Sequence, residues 1–193
     1  MTIEIKGNWK KGFAYDVHTL SSTYLGIDER GHEQWDTTRS EMGQLVYDLK
    51  YRGDLSTVKA IVDRLDKYKG LETMDAIIPI PASRPSRPRR VQPVLEIAKA
   101  LGSRINVPVW TILQKKPGGA ELKNIDESAQ RQAKLQELMA IDTSHHAITG
   151  QNVLLLDDLY RSGATLRVAT GLLYQAGVRN VAVLVMTKTR SNR

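Results

Sequence analysis

The sequence contains no cysteine, which excludes a disulfide framework, a zinc site built on thiolates and a cysteine nucleophile. Long apolar runs are also absent, and none approaches the roughly 20 residues needed to span a bilayer. Residues 1–11 lack the apolar core of a signal peptide. We therefore expect a protein of a reducing compartment, the cytoplasm, with no membrane association.

Acidic residues are missing from the last part of the chain: none follows Asp158, whereas six arginines and lysines do. The 193 residues carry a net charge of +7, but their composition is ordinary for a globular protein. One main domain with room for a small accessory element is expected. The basic excess predicts either sequence-independent attraction to nucleic acid, which would weaken steeply with salt, or a small polyanionic ligand.

The most informative stretch is an apolar run followed by two acids. Residues 153–156 read Val-Leu-Leu-Leu, which is typical of a strand buried on both faces of a parallel sheet. Asp157 and Asp158 come next and are predicted to stand at the carboxyl end of that strand. In open α/β sheets, ligands bind at this end.

A short turn follows the acids and leads into a helix. It contains Ser162, Gly163 and Thr165, and apolar residues then recur at helical spacing over 166–176. The amino end of a helix offers free backbone N–H groups and a positive dipole, so this turn is a predicted phosphate site. Carboxylates would repel a phosphate placed directly on them. The combination therefore predicts a ribose 5-phosphate, with its hydroxyls on the two acids and its phosphate in the turn.

This stretch has two alternative interpretations. An ordinary buried strand with an acidic turn would explain the apolar run but not the acids together with Ser-Gly-Ala-Thr. The acidic strand end of a P-loop nucleotidase would require G-x-x-x-x-G-K-[ST], which the sequence does not contain.

The remaining elements follow from apolar periodicity and from glycine and proline positions. A hairpin or meander is predicted near the start, because two short strands, 13–17 and 23–27, are followed by a turn at 28–31. The predicted strands are 13–17, 23–27, 75–81, 107–113, 151–156 and 181–186, and the predicted helices are 39–49, 55–68, 94–101, 125–139 and 166–176.

Two loops are candidates for ligand contacts. Residues 82–90 contain four arginines between a strand and a helix, which repeats the layout of a phosphate site. Residues 115–119 read Lys-Lys-Pro-Gly-Gly and predict either a lid over a reactive centre or a plain flexible loop. His145 and His146 have no partners at metal-ligand spacing and are given no role.

Residues 153–165 resemble the phosphoribosyl pyrophosphate (PRPP) motif of type I phosphoribosyltransferases. That motif has four apolar residues, two acids, an apolar residue, two variable positions and Ser/Thr-Gly-x-Thr, and every fixed position is matched. The order of elements over 45–187 is similar to the ComF/GntX branch, through Lys-Tyr-Arg-Gly-Asp at 50–54 and Ile-Pro-Ile-Pro at 78–81. The chain departs from that branch because it lacks the N-terminal cysteine zinc finger.

The resemblance implies an α/β fold: a Rossmann-like parallel sheet flanked by helices, the type I phosphoribosyltransferase fold, with a small N-terminal β-rich accessory region. Residues 1–40 would form this accessory or hood region, and residues 41–193 the core domain.

The resemblance also implies transfer of ribose 5-phosphate from PRPP to an acceptor, usually a nucleobase, with Mg²⁺ and release of pyrophosphate. Asp157 and Asp158 would bind the ribose hydroxyls directly or through metal-bound water, and Lys115 or Lys116 would close over the pyrophosphate. The pyrophosphate loop would be Ala82, Ser83 and Arg84. The PRPP site would comprise Asp157, Asp158, Leu159, Tyr160, Arg161, Ser162, Gly163, Ala164 and Thr165.

Two other functions remain open. One is a non-catalytic PRPP-binding protein of the ComF type, regulatory or associated with nucleic acid in competence and DNA uptake. The other is a basic α/β interaction protein with no nucleotide ligand, which the complete motif disfavours. The acceptor is not identified, and a homodimer is an open expectation.

Overall fold

The computed structural model describes residues 2–82, 91–115 and 136–190. The strands are β1 Ile3–Glu4, β2 Lys11–Val17, β3 Thr19–Ile27, β4 Glu33–Arg39, β5 Ala76–Pro79, β6 Leu113–Lys115, β7 Met139–Ile141, β8 Asn152–Tyr160 and β9 Asn180–Lys188. The helices are α1 Glu41–Tyr47, a π-helical turn Asp48–Arg52, α2 Thr57–Leu65, a 3₁₀ turn Leu71–Thr73, α3 Pro93–Ile105 and α4 Ala164–Gln175. None of the helices in the described ranges is long and apolar enough to cross a membrane.

A five-stranded sheet forms the centre, in the order β1-β2-β9-β8-β5. Strands β2, β9, β8 and β5 run parallel, and β1 is antiparallel to β2. Because strand side chains alternate between faces, Val153 and Leu155 of β8 join the cluster that includes α4, whereas Leu154 and Leu156 join the cluster with α1, α2 and α3. Helices therefore cover both faces of the sheet, and the α/β fold predicted from the sequence is confirmed.

The N-terminal region is divided between this sheet and a separate hairpin. Strand β2 pairs along its length with β9, so it is part of the central sheet. Strands β3 and β4 instead form a separate two-stranded sheet, joined by the predicted turn at 28–31. Both ends of this hairpin are fixed, because His18 N–H donates to the Lys188 carbonyl at 2.8 Å and Ser40 N–H donates to the His18 carbonyl at 3.3 Å.

Residues 107–113 do not form the predicted core strand. They meet β5 only in an isolated parallel bridge between Val109 and Ile77. Pro108 accepts from Ile77 N–H at 2.8 Å, but it has no N–H of its own to extend a ladder. Leu113 instead begins β6, which pairs with β7 in a separate antiparallel sheet.

The polar helix predicted over 125–139 falls mostly outside the described residues. Residues 136–138 are helical, but Met139 is the first residue of β7 and pairs with Lys115. The prediction is therefore wrong at its last residue, since a strand begins there.

Candidate active site

The two acids lie within β8 rather than at its end. Asp157 pairs with Val185, and the ladder continues through Leu159 with Thr187 and Tyr160 with Lys188. The predicted strand end at 156 is therefore wrong by four residues, because β9 extends to Lys188 and gives the longer strand a partner. Successive residues of a strand face opposite sides of the sheet, so the two carboxylates have different neighbours.

Asp158 is buried and forms an ion pair with a distant lysine. Its Oδ2 accepts from Lys50 Nζ at 2.5 Å, and the two side chains are 12% and 22% exposed. The backbone carbonyl of Asp158 accepts from the Thr187 hydroxyl at 3.1 Å, and that hydroxyl also lies 3.1 Å from His18 Nδ1. One network of hydrogen bonds and an ion pair thus joins the carboxyl ends of β2, β8 and β9 to the π-helical turn.

His18 is half-buried within this network. Burial lowers the pKa of its imidazole, and the charges of Arg39 and Lys50 lower it further, while Asp158 acts in the opposite direction. We therefore expect a neutral imidazole near pH 7, since its ordinary pKa is about 6.5.

Asp157 lies in a different electrostatic environment. Burial, and next the charge of Asp158, raise its pKa to about 7. The Asp158 N–H, which donates to Asp157 Oδ1 at 2.8 Å, and the charges of Lys115 and Lys50 act in the opposite direction. Burial also lowers the pKa of Lys115, against the attraction of both acids. The predicted catalytic lysine Lys115 thus lies close enough to the acids for their charges to act on it.

The Asp157→Asn variant is expected to gain stability relative to the wild type as the pH rises. The pKa of Asp157 rises from 3.8 to about 7 on folding, so its protonated form stabilises the fold at low pH. That contribution is lost as the pH rises through this window. Asparagine does not titrate, so the variant avoids this loss. The free energy of unfolding of Asp157→Asn should therefore increase relative to that of the wild type as the pH rises from about 4 to about 8, as measured by urea unfolding.

The control for this prediction is Asp142→Asn. The Ser144 hydroxyl and N–H lower the pKa of Asp142, so this variant should lose stability relative to the wild type as the pH rises through the acid range. A difference for Asp157→Asn that does not change with pH would show that Asp157 does not carry a raised pKa.

The predicted phosphate turn leads into α4, as expected. Gly163 stands before the first residue of the helix with a φ of 75°, in the left-handed region that glycine adopts readily. Its carbonyl accepts from Arg167 N–H at 2.9 Å, and the Ser162 carbonyl accepts from Arg167 Nη1 at 2.7 Å. A Cβ on Gly163 would lie 2.7 Å from Tyr160 Cε2. Thus both the backbone conformation and the Tyr160 ring require glycine here.

The predicted pyrophosphate loop begins beside the acids. Ile80 N–H donates to the Leu156 carbonyl at 2.9 Å, so the end of β5 lies next to the residue that precedes Asp157. Ala82 follows and is exposed. Ser83 and Arg84, as well as Lys116 from the other loop, lie outside the described residues.

Three residues of the network were given no role by sequence reasoning: His18, Lys50 and Thr187. Lys50 is part of the 50–54 pattern that resembles the ComF/GntX branch, so a signal for it existed. His18 and Thr187 had none, because they are 169 residues apart in the chain and meet only through the pairing of β2 with β9.

A metal cage made of protein side chains alone is not present in the described ranges, where no group of three or more histidines, cysteines, aspartates or glutamates could hold an ion. Two adjacent carboxylates fit a different arrangement, in which Mg²⁺ is held mainly by substrate phosphates with one or two protein carboxylates.

No protein-family model matches the sequence, and no curated protein matches it significantly. Among solved structures, the chain is similar to glutamine phosphoribosylpyrophosphate amidotransferase from B. subtilis, with 17% identity, a TM-score of 0.51, and coverage of 82% of this chain and 34% of that one. For orotate phosphoribosyltransferase from Aeropyrum pernix, the identity is 17%, the TM-score 0.48, and the coverage 89% and 76%. At such identities the likeness is one of fold, and the amidotransferase agrees with the predicted fold class.

Proposed function

We propose that the protein transfers the ribose 5-phosphate group of PRPP to an acceptor base and releases pyrophosphate. The observation that carries this proposal is the placement of Asp157 and Asp158 on β8, followed directly by the Gly163 turn and the amino end of α4. One strand–turn–helix unit therefore carries hydrogen-bond acceptors for sugar hydroxyls, followed along the chain by hydrogen-bond donors for a phosphate. The fold shared with the amidotransferase adds support.

Each part of the ligand has a chemical counterpart in this unit. The N–H groups at the start of α4 would bind the 5-phosphate, assisted by the helix dipole. Asp158, and Asp157 in its ionised form, would accept from the ribose hydroxyls, in bonds strengthened by their charge. Lys115 and the loop that begins at Ala82 would lie on the pyrophosphate side.

In the transfer, the bond from C1 of the ribose to pyrophosphate breaks, and its electron pair leaves with the pyrophosphate. The acceptor nitrogen then forms its bond to C1 and loses its proton to solvent, which leaves the product nitrogen neutral. The carboxylates of Asp157 and Asp158 would fix the ribose while positive charge develops on the ring. Asp157 and Asp158 would help to hold Mg²⁺, which would supply positive charge to offset the charge on the departing pyrophosphate.

The test is to incubate the protein with PRPP, Mg²⁺ and a panel of nucleobases, and to assay pyrophosphate release. Release that depends on one base supports the transferase and identifies the acceptor. PRPP binding without release under any base would favour the second candidate, a non-catalytic PRPP-binding protein of the ComF type, which the net charge of +7 also suits. If the protein showed neither PRPP binding nor pyrophosphate release, both candidate functions would be rejected.

A further inference from the structure

The π-helical turn that carries Lys50 is anchored by neighbouring residues. The preceding residue, Leu49, is fully buried in the core cluster of α1, α2 and α3. Asp48 at the start of the π-helical turn accepts from Gln44 Nε2 at 3.0 Å and pairs with Arg52 at 3.0 Å. A π-helical turn inserts an extra residue into a helix and occurs frequently at functional sites. Here it directs one lysine towards the end of β8.

The pair of Lys50 with Asp158 differs from the other ion pairs in the described part of the chain. In each of those, at least one side chain is more than 40% exposed, whereas Lys50 and Asp158 are 22% and 12% exposed. Taking both charges out of water costs free energy that a surface pair does not require, so a buried pair is weak evidence for a purely stabilising role.

We propose that Lys50 is a positioning residue for ligand binding at Asp158. Its bond to Oδ2 fixes the orientation of the carboxylate and leaves Oδ1 for a ribose hydroxyl. Within the described ranges, no hydrogen bond engages Oδ1 of Asp158. This inference rests on the proposed function, and it assigns to the 50–54 segment a role in recognising the sugar rather than the phosphates.

The test compares wild type, Lys50→Met, Asp158→Asn and the double variant by calorimetric titration with PRPP and Mg²⁺, and separately with pyrophosphate and Mg²⁺. Methionine keeps an unbranched side chain as far as Cε but removes the ammonium group, and with it the charge and the hydrogen-bond donors. We expect Lys50→Met to weaken PRPP binding about tenfold or more, since a hydrogen bond to a charged group is affected. Pyrophosphate affinity should stay unchanged.

The double variant reveals whether Lys50 acts through Asp158. If it does, Lys50→Met should add no further loss of PRPP affinity in the Asp158→Asn background, because coupled residues are not additive. Lys50→Arg should restore part of the affinity by keeping the charge. The matched control is Lys59→Met, since Lys59 pairs with Asp63 at 2.9 Å but is 78% exposed, and it should bind PRPP like the wild type.

Three results would overturn the inference. Wild-type PRPP affinity in Lys50→Met, with only a lower melting temperature, would make the pair structural. Additive losses together with weaker pyrophosphate binding would make Lys50 a direct phosphate ligand. In both cases the PRPP site on which the proposed function depends stands, because the wild type binds PRPP. Failure of the wild type itself to bind PRPP would instead reject the proposed function and the inference with it.

Discussion

Replacing Gly163 with valine is expected to weaken PRPP binding by roughly two orders of magnitude, because about two hydrogen bonds to a charged group would be lost at the 5-phosphate. The φ of Gly163 is 75°, a region in which a β-branched residue is strained. Its new Cβ would also lie 2.7 Å from the Tyr160 ring. The turn or the ring must therefore shift, and the donors at the start of α4 would lose their arrangement. Calorimetric titration with PRPP and Mg²⁺ measures the loss.

The matched control is Gly31→Val in the β3–β4 turn. Gly31 has a similar φ of 78°, but no atom lies within 4 Å of a Cβ built there. This variant should carry a comparable backbone strain of about 1–2 kcal/mol and keep its PRPP affinity. If Gly163→Val bound PRPP as tightly as Gly31→Val does, the phosphate site could not be this turn.

The Asp158→Asn variant is expected to lose both ligand affinity and stability. Asparagine keeps the shape of the side chain but removes the charge that accepts strongly from ribose hydroxyls. It also leaves the Lys50 ammonium, whose side chain is only 22% exposed, without its counter-charge. Breaking a buried pair in this way costs about 3 kcal/mol. Urea unfolding measures the stability, and titration with PRPP measures the affinity.

Two comparisons separate the components of this effect. Asp63→Asn interrupts the more exposed pairs with Lys59 and Arg104, so its loss of stability should be much smaller. Binding of inorganic phosphate should stay near normal in Asp158→Asn, because the phosphate donors belong to the turn and α4. If Asp158→Asn lost no more stability than Asp63→Asn and bound PRPP as tightly as the wild type, the role of Asp158 would be contradicted.

Local sequence patterns were sufficient for the strand–turn–helix unit. An apolar run as long as 153–156 requires burial on both faces, and the residues after Gly163 repeat at helical spacing, so β8 and α4 could be predicted without tertiary information. Glycine at 163 agrees with the predicted turn, because its φ of 75° lies in the left-handed region that glycine adopts readily. These signals are local, and no distant part of the chain overrides the presence of the strand and the helix, although β9 changes where the strand ends.

Pairing between distant segments could not be predicted in this way. The two acids look like the residues after a strand, but β8 continues through them because β9 supplies ladder partners up to Lys188. Lys50 and Asp158 are 108 residues apart in sequence, and their contact depends on how the π-helical turn stands against the sheet. The core strand predicted over 107–113 does not form. Apolar periodicity takes no account of Pro108, which has no backbone N–H to donate to a ladder.

The most direct test of the proposed site is a calorimetric titration of the wild-type protein with PRPP and Mg²⁺, compared with ribose 5-phosphate and with pyrophosphate. A site that joins hydroxyl acceptors to phosphate donors should bind PRPP more tightly than either part alone, since one ligand then engages both sets of groups. This ranking is the predicted result. The absence of any binding at millimolar PRPP would contradict the proposal that β8, the Gly163 turn and α4 form a PRPP site.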